Sequence, residues 1–264
     1  MKIQDKYSIT LLFLFSSLIF AQDKNEVQDM SDPLAVYTQA GIGATNKGLN
    51  LKIGISYDTG IKNLMGMNVI EFKGSLGEEL GWDKSSKRSN KLDSFRFRNF
   101  KADLTTGRGA QIDINYNFKQ SYLAQRTGSA SYALLQALPK YYFINLYPLA
   151  GLGVDFGKNV VEDDSSIDSG YSIYGVNALI GMYGKFTLTE KIWLNYNPFW
   201  LTAVSGSNLY EDSAYAPGKD NILLHEFAAS YQFTPCFNLR YFANWSNLVD
   251  ITDGDHRIEA NYQF

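Results

Sequence analysis

Between residues 111 and 118 the chain reads QIDINYNF, with Ile112, Ile114, Tyr116 and Phe118 on one side of an extended backbone and Gln111, Asp113, Asn115 and Asn117 on the other. The same two-residue period returns at 49–58, where Leu49, Leu51, Ile53, Ile55 and Tyr57 oppose Asn50, Lys52, Gly54, Ser56 and Asp58, and again at 223–233, 237–247 and 256–264. A strand with one apolar and one polar face requires this alternation; winding the same segments as helices would mix the two faces. The segments run for ~10 residues, the length a tilted strand needs to cross a bilayer, whereas strands in soluble sandwiches average ~5–6. Their apolar faces tend to end in Tyr, Phe or Trp, rings that favour a boundary between hydrocarbon and water. After residue 21 every apolar stretch is soon broken by Gly, Asn or charge, so none reads as a transmembrane helix. Hydrocarbon cannot satisfy backbone N–H and C=O groups, so strands that cross it must close on themselves. The expected fold is all-β, a transmembrane, antiparallel, up-and-down β-barrel.

Composition narrows the chemistry. One cysteine rules out an internal disulfide and leaves Cys₄ and Cys₂His₂ zinc sites without ligands; two histidines leave little room for other metal sites. No metal and no cofactor is expected. With 24 basic and 27 acidic residues there is no electrostatic footprint for nucleic acid. Residues 1–21 read as a secretory signal: Lys2 and Lys6, then the uncharged run SITLLFLFSSLIF at 8–20, then Ala21 before a polar stretch. That run is ~13 residues, too short to span as a helix. Residues 22–33 are expected to be a periplasmic N-terminal segment and 34–264 the barrel.

Strands are expected at 34–45, 48–58, 65–73, 94–103, 109–118, 128–138, 141–156, 170–188, 191–205, 221–233, 236–249 and 255–264, which makes twelve, with ten as the alternative. The third and sixth are the least regular: Met67, Val69 and Glu71 share a face, and 130–138 barely alternates. Tight links at 105–108, 139–140, 189–190 and 234–235 fall at one end. Long polar links at 74–93, 157–169 and 206–219 fall at the other, the asymmetry of barrels with short periplasmic turns and long outer loops.

With its export signal, its amphipathic strands and the final segment IEANYQF, the chain resembles the Gram-negative outer-membrane β-barrels, a porin-like class, with no subfamily singled out. In that class a C-terminal Phe preceded by alternating apolar residues is read by the assembly machinery, a role the resemblance gives here to Ile258, Tyr262 and Phe264. It further implies location in the outer membrane, contact with its lipid and lipopolysaccharide, and delivery by periplasmic chaperones to the barrel-assembly machinery.

The polar faces name candidates for the lumen: Lys52, Arg96, Arg98, Asp113, Asp155, Lys185, Glu226, Arg240, Arg257 and Glu259, of mixed sign. Ion pairing among Glu226, Arg240, Arg257 and Glu259 is one expectation, as is pairing of Arg96 or Arg98 with Asp113. Tyr141, Phe143, Asn145, Tyr147, Trp193, Asn195, Asn197 and Phe242 are expected to turn inward beside them. Such a lining serves a narrow passive channel for small hydrophilic solutes, where charged rings tune passage. It also serves a closed structural or adhesion barrel whose rings fill the interior. An envelope-lipid hydrolase is the least favoured reading, because His225 falls on the apolar side and His256 has only the turn Asp253-Gly254-Asp255 beside it. No catalysis is expected. The carboxylate run at 162–168 reads as a solvated loop in preference to a divalent-cation site, and Cys236 as an unpaired thiol at a tight turn.

Overall fold

The computed structural model describes residues 27–45, 48–76 and 92–264. The expected signal segment, and the Glu78, Glu79, Lys84, Lys87, Arg88 and Lys91 cluster of the 74–93 link, lie outside those residues. Twelve strands follow one another: β1 (Gln39–Thr45), β2 (Gly48–Asp58), β3 (Leu64–Ser75), β4 (Ser94–Asp103), β5 (Arg108–Asn117), β6 (Ala124–Gln136), β7 (Ile144–Val161), β8 (Ile167–Thr187), β9 (Ile192–Gly206), β10 (Asn221–Thr234), β11 (Phe237–Ser246) and β12 (Asp255–Gln263). Each pairs antiparallel with its sequence neighbours, and β1 closes the ring on β12 from Gln39↔Gln263 to Thr45↔Arg257. The expected fold and the count of twelve match this barrel. One short helix, α1 (Asn208–Ser213), sits in the link between β9 and β10. We call the end that carries Gln28, Phe264 and the links β4–β5, β8–β9 and β10–β11 the turn end, and the opposite end the loop end.

Alternation sets which side chains face out. Ile53, Ile55, Leu134, Leu152, Ile180 and Ile258 are exposed outward, while their strand neighbours point into the lumen. Aromatic rings gather at both rims. Tyr231, Phe233 and Phe237 pack at the turn end beside Tyr262 and Phe264; Tyr116, Phe118, Phe156 and Tyr171 pack at the loop end. The terminal Ile258, Tyr262 and Phe264 all lie on this outward face.

The expected boundaries shift in three places. The link at 157–169 is largely strand: β7 and β8 continue to a tight turn at 162–166, closed by Glu162 and Ser165. Residues 137–143 form a turn, so Tyr141 (68% exposed) and Phe143 do not line the lumen; Tyr141 instead packs edge-on against Tyr142 outside it. β1 opens only at Gln39, and the last backbone bond between β1's approach and the C-terminal residue is Phe264 N–H to Thr38 C=O, 3.0 Å. Residues before Thr38 leave the sheet and turn into the barrel, although β2 continues beside them to Asp58.

Ile180 stands on the outward face of β8, 57% exposed. Ile180→Arg is expected to destabilise the barrel in lipid vesicles by about 2–4 kcal/mol, measured by denaturant unfolding.

Candidate functional site in the barrel lumen

The lumen has two unlike walls. One wall, from β11 through β12 and β1 to β5, carries a band of alternating charge. Lys52 Nζ donates to Glu259 Oε1 at 2.7 Å, and Arg257 Nε lies 3.2 Å from Glu259 Oε2. Arg98 pairs with Glu71, and Arg96 grips Asp113 through Nε and Nη2. Lys52 is on β2 and Glu259 on β12, so their bond passes over β1 and ties the closing seam. The sequence of β1 allows this: Gly41 and Gly43 face inward there. A Cβ at 41 would stand 2.7 Å from Asn261 Oδ1 and 3.0 Å from Lys52 Cε; one at 43 would stand 3.0 Å from Arg257 Cδ. Glycine clears the path for the crossing side chains.

The other wall, β6 to β9, is apolar in its turn half. Ala133, Leu135, Tyr147 and Leu149 are buried there, with Leu179, Tyr183 and Phe199 beside them. Leu34 and Val36 of the N-terminal segment pack onto this patch. Polar contacts around the ring complete the docking. Asp29 Oδ2 accepts from Lys185 Nζ at 2.8 Å, and Asp32 Oδ1 from the Tyr147 hydroxyl at 3.0 Å. Gln263 Nε2 donates to the Gln28 carbonyl at 2.9 Å, and the Met30 sulfur accepts from Gln232 and Asn238. Thus residues 28–36, expected in the periplasm up to 33 and in a strand beyond, fill the turn end of the lumen.

Above the segment the lumen is not packed solid. A cavity of about 830 Å³ reaches from Arg96, Asp113, Asn115 and Ser131 to loop-end residues Lys119 and Val249. A second, of about 170 Å³, lies deeper and is bordered by Ser31, Pro33 and Tyr37 of the segment. Arg98, Tyr183 and Glu226, from three different strands, border both cavities. Tyr183 forms part of this waist by reaching from β8 to β5, where its hydroxyl donates to Gln111 Oε1 at 3.1 Å.

The remaining candidates fall as follows. Trp193, Asn195, Asn197, Phe242, Arg257 and Glu259 are buried on the lumen side; Asn145 is half-buried with the same alternation as Tyr147. Among the described residues Arg240 meets no carboxylate: its guanidinium donates to Ser230 Oγ and Asn195 Oδ1 and sits over the Trp193 and Phe242 rings. Glu226 accepts from Asn197 Nδ2 at 2.7 Å, so among the four acidic and basic residues expected to pair, the pair formed is Arg257–Glu259. Asp155 accepts from Asn177 Nδ2 and from the hydroxyl of Tyr210, which α1 inserts at the loop end. In the carboxylate run, Asp163 accepts from the Asn208 and Leu209 N–H groups and fastens the β7–β8 turn to α1. His225, Tyr196 and Trp245 stack mutually, and His256 stacks on Tyr241; each histidine shares a hydrogen bond with a tyrosine hydroxyl at Nδ1 and none with a serine among the described residues. The Cys236 thiol is free. Sequence reasoning missed Glu71 as the partner of Arg98, and Asp29 and Asp32 as lumen groups. The apolar inward positions of β6 were the available signal for the segment.

No protein-family model and no curated protein matches the chain. Among solved structures it is similar to the NanC porin, at 10% identity and a TM-score of 0.48, over 87% of this chain and 99% of that one. It is similar to an outer-membrane channel from Pseudomonas putida F1, at 10% identity and a TM-score of 0.49, over 91% and 98%. It is also similar to the translocator domain of the autotransporter NalP from Neisseria meningitidis, at 12% identity and a TM-score of 0.45, over 87% of each.

Glu259 neutralises two cations while being 5% exposed at its side chain. Glu259→Gln is expected to cost about 3–5 kcal/mol in unfolding experiments, and adding Lys52→Met is expected to recover part of it. Burial works to raise the Asp29 carboxyl, but Lys185 and the Ser31 hydroxyl and N–H hold it below the usual carboxylate range. Its contribution to docking is therefore present above the ordinary carboxylate pKa and lost as pH falls through the lowered one. A nitroxide at Val27→Cys, in a Cys236→Ser background, is expected to gain mobility on that acidification.

Proposed function

We propose that the chain is an outer-membrane channel that admits small hydrophilic solutes from the loop end. The observation that carries this reading is the 830 Å³ cavity, which reaches the loop end and is lined on one side by charged, amide and hydroxyl side chains and on the other by apolar ones such as Leu149, Leu179 and Phe199. A barrel whose only task is to present loops gains nothing from such a cavity, since rings packed across the lumen would stabilise it more. The apolar outward face and the two aromatic rims support placement in a bilayer, with the turn end in the periplasm. Export by the N-terminal signal, chaperone delivery, recognition of Ile258, Tyr262 and Phe264 by the assembly machinery, and contact with lipopolysaccharide belong to the same proposal. The porins and channels among similar structures are consistent with passage, and nothing in the lumen supports catalysis in preference to it.

The waist at Arg98, Tyr183 and Glu226 and the segment below it make this a channel of low resting conductance. Refolded protein in a planar bilayer is expected to give small, stepwise currents that grow when Tyr183→Ala opens the waist. Verified insertion without current in either form would reject the channel and leave a closed barrel with functional loops.

A further inference from the structure

Among the described residues, the turn half of the lumen holds two cations, Lys185 and Arg240, that form no ion pair with a carboxylate of the barrel wall. Lys185 and Arg240 meet at Asn195: Lys185 is its register partner on the neighbouring strand, and Arg240 Nη2 donates to its Oδ1 at 3.3 Å. The other wall carboxylates in reach are already used. Glu259 serves Lys52 and Arg257, Glu71 serves Arg98, and Glu226 accepts the Asn197 amide. Trp193, beneath Arg240, keeps an indole N–H without an acceptor among the described residues. The one carboxylate on Lys185 comes from outside the wall, from Asp29 of the N-terminal segment. Asp32, three residues on, takes the Tyr147 hydroxyl.

This arrangement has the chemistry of an occupied binding site. A buried ammonium without a counter-charge is costly, so the site favours any occupant that brings a carboxylate. We propose that this pocket binds a small carboxylate-bearing solute and that the N-terminal segment is its resident competitor, with Asp29 standing where the solute carboxylate goes. The proposal rests on the channel reading and deepens it by naming the solute class. Solute and segment cannot hold Lys185 together, so carboxylate binding and segment release are two faces of one equilibrium. A neutral solute offers nothing to offset the cations and leaves the segment in place. The asymmetry of exposure fits exchange: the Lys185 side chain is 10% exposed, whereas that of Asp29 is 62% exposed and can be displaced without opening the wall.

The test uses the full chain with Cys236→Ser and Ala35→Cys, refolded in detergent micelles. Ala35 borders the inner cavity, so a polymer-linked maleimide too large for the lumen tags Cys at 35 only after the segment leaves. Asp29→Asn or Lys185→Gln is expected to speed tagging about tenfold or more, the scale of one lost charged hydrogen bond. Millimolar succinate is expected to speed tagging of the otherwise unaltered chain at matched ionic strength, and succinamide is not. Combining Lys185→Gln with Arg240→Gln is expected to abolish the response to succinate. Tagging that responds equally to succinate and succinamide, or to neither, overturns the inference. Because tagging needs no current, the two readings separate. Release by succinate in a barrel that never conducts refutes the channel alone; conduction in a protein whose tagging ignores succinate refutes this inference alone.

Discussion

Closure of the sheet is the constraint on which the rest depends. A strand whose outer face meets hydrocarbon has no water to satisfy its backbone edge, so the first strand must find the last. Here the junction is the shortest strand, β1, paired over seven residues with β12. Its inward glycines look like a weakness, since glycine adds no packing. They are what lets Lys52 lie across the seam and reach Glu259, so the thinnest part of the wall is reinforced by an ion pair that skips a strand. A bulkier β1 would pack better locally and lose that tie.

Closure also creates an interior that must be filled, lined or left wet. The charged wall solves its own electrostatics: Arg96 and Arg98 each find a carboxylate on an adjacent strand, Arg257 finds one on its own strand, and Lys52 reaches one across β1. The apolar wall cannot be left facing water, and the N-terminal segment covers its turn half with Leu34 and Val36. One stretch of chain thus meets two demands, burying apolar surface and supplying Lys185 with a counter-charge.

The barrel was legible because a period of two leaves little freedom: each apolar side chain fixes the orientation of its neighbours, and twelve strands could be read within a few residues of their ends. Alternation reports direction, though, and not where a strand stops. Residues 157–161 and 167–169 are polar enough to read as a loop, yet the β7–β8 hairpin extends through them, and polarity alone does not distinguish strand from link there. Tyr141 and Phe143 carry the correct period but precede Ile144, where the ladder to β8 begins. Leu34 and Val36 alternate as a strand does, yet they pack on the inner apolar patch, a long-range contact that local alternation does not report. In β6 the irregular stretch had a cause: Ala133 and Leu135 are apolar on the inward side because a segment far away in sequence packs there. Lumen contacts between distant strands, such as Tyr183 with Gln111, leave no trace in local pattern.

The central claim is that alternate residues of one strand see lipid and lumen. β9 carries a natural pair of probes, Trp193 at 4% exposure on the inner side and Trp200 at 40% on the outer. Single-tryptophan variants reconstituted in brominated lipid measure the difference directly. The account predicts strong quenching of Trp200 and little of Trp193; equal quenching of both, or of neither, would contradict it.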